Sequence, residues 1–424
     1  KEHRTVTITI PSTQSSAADA APTLIEAKER AAAEVEARRS SLIALSHAIH
    51  ANPELSWEEH EAAALIAGVL SEAGFDVTVG AYGVETAIEA VYGTGDLTVA
   101  VCAEYDALPG IGHGCGHNVI AAAGVGAVLA LAPLADAAGL RIKLLGTPAE
   151  EHGGGKVAML LAGAWEDTDI SMMVHGMTGK DVSAAGYSST AVDRFEVIFH
   201  GKTAHAAAFP EQGVNAAAAA TLAQTAIALL RQHVPKQANL NAFVSNGGEA
   251  TNIIADRTVL QVELRALDID VWRDLKKRVL ACFEGAAIAT GCTWEWAPTE
   301  HPYAPVAPDE ILAGLWDRNL EGRGREIVNL PSGVGGGSTD MGNVTQVLPA
   351  IHPMIAFLGE EGPAHNPGFT ASAITPAADE AILDGAAAMA WTVLDVALTP
   401  ELRADFRQRT TARPVDATRT TIEA

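Results

Sequence analysis

The chain has 424 residues and a mass of 43.9 kDa, more than one ordinary domain of roughly 100 to 200 residues needs, so a single small binding module is excluded and two folding units are expected. With 48% hydrophobic and 19% charged residues it can bury a large core, which excludes a disordered chain. The 28 Lys and Arg against 52 Asp and Glu leave a formal charge of −24, a field that repels phosphate backbones and anionic lipid, so neither nucleic acid nor a membrane is expected as a partner.

Alternation over 5–10 reads as a short strand and the Ser- and Ala-rich stretch 11–22 as a linker, so residues 1–23 form an extension and the compact body begins near Leu24. The first residue is Lys rather than Met, so the start reads as trimmed, and export is not judged from this end. Apolar residues at helical spacing over 24–49 and 57–73, interrupted at Asn52-Pro53 and stopped by Gly74, predict two helices. Strands follow at 75–79, 86–92 and 97–102, then a helix from Val119, a strand at 141–146, a helix near 156–162 and a strand at 169–174. The apolar run 119–135 is rich in Ala and Gly, contains Pro133 and is short for a membrane span, so it reads as a buried helix. Strands alternating with helices predict the α/β class, with a mixed, largely parallel sheet covered on both faces.

The rhythm then changes to a strand at 191–200, a helix at 214–231, strands at 242–245 and 258–266, a helix at 271–289 and a strand at 292–296. This β-α-β-β-α-β order is a split βαβ, ferredoxin-like α+β unit and predicts a domain inserted at 188–300. The α/β pattern resumes with a helix near 309–319, a strand at 326–329, a glycine-rich loop at 333–337, a strand at 354–358 and a helix at 377–398. Beyond Pro400 the chain is polar and reads as peripheral. The first domain is therefore discontinuous, 24–187 and 301–424. The cysteines Cys102, Cys115, Cys282 and Cys292 are too sparse for a disulfide framework, so thiols or a metal ligand in a reducing, cytoplasmic interior are expected.

Ligands of open α/β sheets bind outside the carboxyl ends of the strands. The strand ending at Cys102 delivers Glu104, Asp106 and the loop Gly112-His113-Gly114-Cys115-Gly116-His117-Asn118. The strand ending at Gly146 delivers Glu150 and Glu151, and the one ending at Val174 delivers His175. Thiolate and imidazole suit zinc and carboxylate widens the choice to manganese, so these side chains read as a divalent-metal cluster. Adjacent carboxylates permit one to bind metal while its neighbour accepts a proton from water. Two blander readings stand beside this one: each residue is incidental, or Cys115 and His117 are a nucleophile and its base, although their spacing is poor for that pair. In the inserted segment His205 follows a strand and precedes small residues that let a partner chain approach. Asn252 and Arg265 offer a neutral and a cationic donor suited to an amide and a carboxylate.

The motifs Glu104-Tyr105-Asp106-Ala107-Leu108-Pro109, 112–118, Gly146-Thr147-Pro148-Ala149-Glu150-Glu151 and Gly336-Gly337-Ser338-Thr339-Asp340-Met341-Gly342-Asn343 together resemble a dinuclear metallopeptidase family. That family contains aminoacylases, indole-acetyl-amino-acid hydrolases, glutamate carboxypeptidases and p-aminobenzoyl-glutamate hydrolase. The likeness spans nearly the whole chain after Leu24 and looks closest to the branch of p-aminobenzoyl-glutamate hydrolase and dipeptidases acting on β-alanyl peptides. It implies two divalent ions, zinc or manganese, and an inserted lid through which the chain forms a homodimer. It implies that Cys115 bridges the ions, that Glu151 and His365 complete one site and His117 and His175 the other, that Asp106 supports the ligands and that Glu150 is the general base. His365 matches the late ligand better than His352. The resemblance further implies that His205 reaches the neighbouring subunit's site and that Asn252 and Arg265 bind substrate. Glu104 and Asn118 depart from the wider family, which has His and Asp there. The implied reaction is hydrolysis of the amide bond of an N-acyl amino acid, a p-aminobenzoyl-glutamate-like conjugate or a dipeptide, all small substrates, by a metal-activated water. The alternatives are a non-catalytic binding protein on the same fold and a metal-free cysteine hydrolase using Cys115.

Overall fold

A computed structural model describes residues 22–330 and 337–422; the strand expected at 5–10 and most of the loop at 333–337 lie outside the described residues. The described residues form two units, one of 22–187, 306–330 and 343–420, the other of 188–305, 337–342 and 421–422. The first unit opens with the helices Leu24–Ala37 and Arg39–Ala51, where one helix over 24–49 is expected. The break at Arg38 (φ −102°, ψ 5°) lets each helix bury its own stripe, Ala27, Ala31 and Val35 on the first and Leu42, Leu45 and Ile49 on the second. The next helix, His60–Glu72, begins later than its periodicity predicts, because Trp57 takes a positive φ of 71° and Glu59 at the N-cap makes no side-chain cap.

Five strands follow: β1 (Asp76–Val79), β2 (Ile88–Tyr92), β3 (Leu97–Ala103), β4 (Leu140–Gly146) and β5 (Ile170–Met172). They pair in the order β1-β2-β4-β3-β5, antiparallel at β1-β2 and β2-β4 and parallel at β4-β3 and β3-β5. Every residue of β3 is buried, which its unbroken apolar run requires. The helix His117–Leu131 is likewise buried at every residue. Its small residues permit close approach: a Cβ on Gly126 would stand 2.9 Å from Ala386 Cβ. The stretch His117–Ala138 and the helix Pro376–Leu398 are in fact long and apolar enough to cross a bilayer, but both are mostly buried inside this unit. The strand expected at 169–174 stops at Met172, and the chain resumes as β6 (His175–Gly179).

In the second unit β7 (Ala191–His200), the helix Ala216–Leu230, β8 (Ala238–Asn246), β9 (Arg257–Ala266), the helix Ile269–Thr290 and β10 (Thr293–Pro298) follow in β-α-β-β-α-β order. The strands form an antiparallel sheet ordered β10-β7-β9-β8. Alternate residues Phe195, Val197 and Phe199 of β7 and Leu260, Val262 and Leu264 of β9 share a core with Trp272, Leu275, Val279 and Phe283 of the second helix. Asn215 and Asp268 cap the two helices.

Back in the first unit, β11 (Ala350–Ile351) pairs parallel with β5 and completes a six-stranded, mixed sheet, while β12 (Met354–Leu358) pairs parallel with β6 as a separate ladder. The interruption falls at Pro353, which has no N–H to give; its carbonyl accepts from His175 N–H at 2.9 Å. The strand expected at 326–329 is reduced to one bridge between Val328 and Val182, beside Arg325, whose guanidinium is drawn to Asp181 at 2.8 Å. After Pro400 the chain is not a loose periphery. The helix Pro400–Ala412 buries Phe406, and Arg403 and Arg413 donate to the carbonyls of Ala138 and Thr168 at 2.9 Å each.

Candidate metal centre

Because β4, β3 and β5 are parallel neighbours, their carboxyl ends share one edge of the sheet. Glu104 and Asp106 leave β3 there, and Thr147 N–H donates to Ala103 carbonyl at 2.7 Å, tying the start of the 147–151 segment to the same edge. Gly112 and Gly116 take φ near 78°, and a Cβ on Gly116 would stand 3.2 Å from the Phe369 ring. The loop they shape delivers Cys115 and, as the first residue of the following helix, His117. His175 opens β6. His365, at φ 64°, is tied to this loop by its N–H to Gly114 carbonyl at 2.8 Å.

Cys115 Sγ lies 3.5 Å from His175 Nε2. His175 Nδ1 donates to Gly176 carbonyl at 2.7 Å, which leaves the Nε2 lone pair facing the thiol. His117 repeats this arrangement: Nδ1 donates to Asp106 Oδ1 at 2.9 Å, and Nε2 points to Glu104, Glu150 and Glu151 at 3.5, 3.8 and 3.9 Å. The other Asp106 oxygen accepts from the Ser56 hydroxyl at 2.8 Å and from Glu151 N–H at 3.0 Å. Glu151 also approaches His365 Nε2 at 3.4 Å.

Two groups of donor atoms share Cys115, namely Cys115, His117 and His175, and Cys115, Glu151 and His365; within each group the atoms lie within 4.8 Å of one another. Glu104, His117 and Glu150 form a third such group. The buried atoms Glu104 Oε2, His117 Nε2 and Glu151 Oε1 make no hydrogen bond, a costly state that a cation relieves. Thiolate, imidazole and carboxylate are the donor set of zinc and manganese, so the residues fit a two-ion centre.

The electrostatics agree. Burial pushes the Cys115 thiol up, reinforced by Glu151, so the thiolate needs a cation beside it. Burial lowers the His175 imidazole to about 4, keeping it neutral and available as a ligand. Burial opposes charge on Asp106 and His117 as well, yet their mutual attraction prevails, holding the carboxyl below and the imidazole above their ordinary ranges. A metal held at His117 would have to displace the proton it carries among these acids.

Asp106, Cys115, His117, Glu150, Glu151, His175 and His365 thus meet in the first unit. His205, Asn252 and Arg265 belong to the second. There the His205–Ile253 bridge and the Ala206 N–H to Asn252 carbonyl bond, 2.9 Å, set His205 and Asn252 side by side. His205 Nδ1 accepts from Ala207 and Ala208 N–H at 3.2 and 3.1 Å. Arg265 stands on β9, paired with Glu263 at 2.8 Å. Asn118 turns its amide to Ser46 Oγ and Ala373 carbonyl, at 2.8 and 2.9 Å, rather than to an imidazole.

Three features escape sequence reasoning. Lys156 lies 2.5 Å from Glu104, a buried cation for which the neighbouring Gly153-Gly154-Gly155 is the only cue. His352 stands 5.4 Å from His175 with Tyr187 stacked on it at 5.6 Å, an arrangement without any sequence spacing to announce it. Glu59 accepts a hydrogen bond from Ala149 N–H at 2.8 Å, next to Glu150.

The model for Peptidase family M20/M25/M40 matches residues 90–393. The chain is 37% identical to Xaa-Arg dipeptidase from Mus musculus over 90% of this chain and 91% of that protein. It is 30% identical to N-acetyl-L-cysteine deacetylase from Bacillus subtilis, over 78% of this chain and 83% of that protein. The Bacillus subtilis YXEP protein, a dinuclear metal-binding peptidase from the M20 family, matches with a TM-score of 0.65 at 21% identity, covering 85% of this chain and 99% of that one, a likeness of fold. The resemblance drawn from the motifs holds: the chain belongs to peptidase family M20/M25/M40, a family of dinuclear metal-dependent hydrolases of amide bonds.

Proposed function

We propose that the chain hydrolyses a dipeptide or N-acyl amino acid at a centre where Cys115 is shared between two divalent ions, zinc or manganese, one also held by His117 and His175 and the other by Glu151 and His365. The observation that carries this reading is the pair of donor groups meeting at Cys115 with Glu150 in neither. When bound, the ions supply the Lewis acidity that polarises an amide carbonyl and acidifies water. Glu150, outside both of the groups that share Cys115, takes a proton from the attacking water and passes it to the amine nitrogen as the C–N bond breaks. Asp106 fixes the His117 ring and, through Glu151 N–H, the backbone between the two glutamates.

The charge of −24 favours cationic over anionic substrates, in keeping with a relative named Xaa-Arg dipeptidase that aligns along 90% of the chain. We therefore place dipeptides with a basic carboxy-terminal residue first, ahead of other N-acyl amino acids and p-aminobenzoyl-glutamate-like conjugates. In the same proposal the second unit is a lid and dimerisation domain, with His205 serving the partner subunit's site and Asn252 and Arg265 contacting substrate. The four free cysteines fit a reducing, cytoplasmic compartment.

A substrate panel on protein reconstituted with zinc or manganese tests the reading. Release of arginine or lysine from dipeptides, abolished by chelation, is expected. Saturable binding without turnover would favour the binding-protein alternative, and chelator-insensitive turnover stopped by alkylating Cys115 would favour the cysteine hydrolase.

A further inference from the structure

Ala149, immediately before Glu150 and Glu151, is held at φ 57°, a left-handed backbone that residues with a Cβ seldom adopt. Three hydrogen bonds fix it there. Its N–H donates to Glu59 Oε1 at 2.8 Å, and its carbonyl accepts from Gly154 and Gly155 N–H at 3.0 and 3.3 Å. Gly153 and Gly154, at φ 110° and 76°, let the chain fold back far enough to make the last two bonds.

Glu59 is wholly buried. The oxygen that receives Ala149 N–H also receives Trp57 N–H at 3.0 Å, and the other receives the Thr86 hydroxyl at 2.8 Å. All three donors are neutral, an expensive environment for a carboxylate. Although Glu59 stands at the N-cap of the helix His60–Glu72, it makes no side-chain bond to that helix. A carboxyl kept in the interior, satisfied by neutral donors and useless to its own helix, serves the segment it reaches across 90 positions of sequence.

We propose that Glu59 is a positioning residue for the reaction: by holding Ala149 left-handed it sets the direction in which the Glu150 side chain leaves the backbone. The inference rests on Glu150 being the proton acceptor. Glu151 has its own strap, its N–H on Asp106 at 3.0 Å, so releasing Ala149 displaces the base more than the ligand. The preceding residues reinforce the arrangement. Ser56 Oγ donates to Asp106 at 2.8 Å, and the Trp57 indole lies so close over Gly153 that a Cβ there would meet Trp57 Nε1 at 2.3 Å. The segment 56–59 thus grips the glutamate pair and the loop beyond it.

The test compares wild type, Glu59→Ala and Glu59→Gln. A Gln can turn its carbonyl oxygen to the two backbone N–H groups and donate its amide to the Thr86 hydroxyl oxygen, so it retains the clamp. A misplacement of about 1 Å at a reacting group costs about 100-fold in rate. Glu59→Ala is therefore expected to lose about 100-fold in kcat with KM and bound metal nearly unchanged, and Glu59→Gln to recover most of the loss. Amide exchange measured over residues 147–155 should quicken in Glu59→Ala and not in Glu59→Gln. Should Glu59→Ala fail to fold, the double variant with Ala149→Gly, in which glycine accepts the left-handed backbone without strain, takes its place with quickened exchange and a smaller loss of kcat. Wild-type kcat in the alanine variant, equal impairment of Gln and Ala, or unchanged exchange in whichever of the two variants folds overturns the proposal. If the wild type turns over no substrate the functional reading fails, while the exchange comparison still decides the clamp.

Discussion

Replacing Glu150 by Gln keeps the side chain's volume and leaves both Cys115-sharing donor groups intact. The Glu150 donor atom lies within 4.8 Å of its counterpart on Glu104 and 3.8 Å from His117 Nε2. Two negative charges 4.8 Å apart repel by about 3.5 kcal/mol at an effective dielectric constant of about 20, while a protonated His117 at 3.8 Å attracts Glu150 by about 4.4 kcal/mol on the same footing. The two nearly cancel, so removing the Glu150 charge should leave the melting temperature in chelator close to that of the wild type. General-base catalysis contributes about 10²- to 10⁴-fold, so kcat should fall by that factor while two ions remain bound. Chromatographic measurement of amine release, beside elemental analysis of the same samples, separates the two effects. Turnover within about threefold of wild type would remove Glu150 from proton transfer. Loss of an ion would make it a ligand and refute the division between the adjacent glutamates.

Burial, with the Asp106 charge nearby, pushes the Glu59 carboxyl from 4.5 up to about 7. A carboxyl raised by folding binds its proton more tightly in the native state, so this group's contribution to stability falls as pH rises from about 4.5 to 7 and is constant above. Urea unfolding in chelator should show the advantage of Glu59→Gln over wild type growing by about 3 kcal/mol between pH 4.5 and pH 8; a constant difference contradicts the shift. Mixing inactive His205→Ala and Glu150→Gln subunits should restore turnover, because a hybrid dimer unites an intact Glu150 with the partner subunit's histidine. No recovery after demonstrated subunit exchange argues against a role in trans. A Cβ on Gly155 would stand 1.8 Å from Pro148 carbonyl, so Gly155→Ala should cost about 1 to 3 kcal/mol in thermal unfolding, and a wild-type melting temperature would show that the loop relaxes freely.

β3 is legible from its residues alone, because an unbroken apolar run of that length finds burial only in the middle of a covered sheet. The break between β5 and β6 is not, since its cause is Pro353 on the neighbouring chain segment, about 180 positions away. The same division runs through the site. Cys115, His117, Glu150, Glu151 and His175 follow strands or sit in a glycine loop, where chemistry is sought first. Glu59 lies in a Trp-Glu-Glu-His run at a helix start, where an acid ordinarily reads as a solvated first-turn residue. Only the contact with Ala149 distinguishes it. Arg403 and Arg413 show the same limit, reading as a polar tail until the carbonyls they hold come into view.

Stoichiometric metal titration of the chelator-stripped chain, followed by turnover of a basic dipeptide at each step, bears most directly on the shared thiolate. Two zinc or manganese ions per chain, with activity rising as they bind and both ions weakened by Cys115→Ala, is the expected result. A chain that takes up no divalent ion and hydrolyses its substrate equally well in chelator would contradict the account.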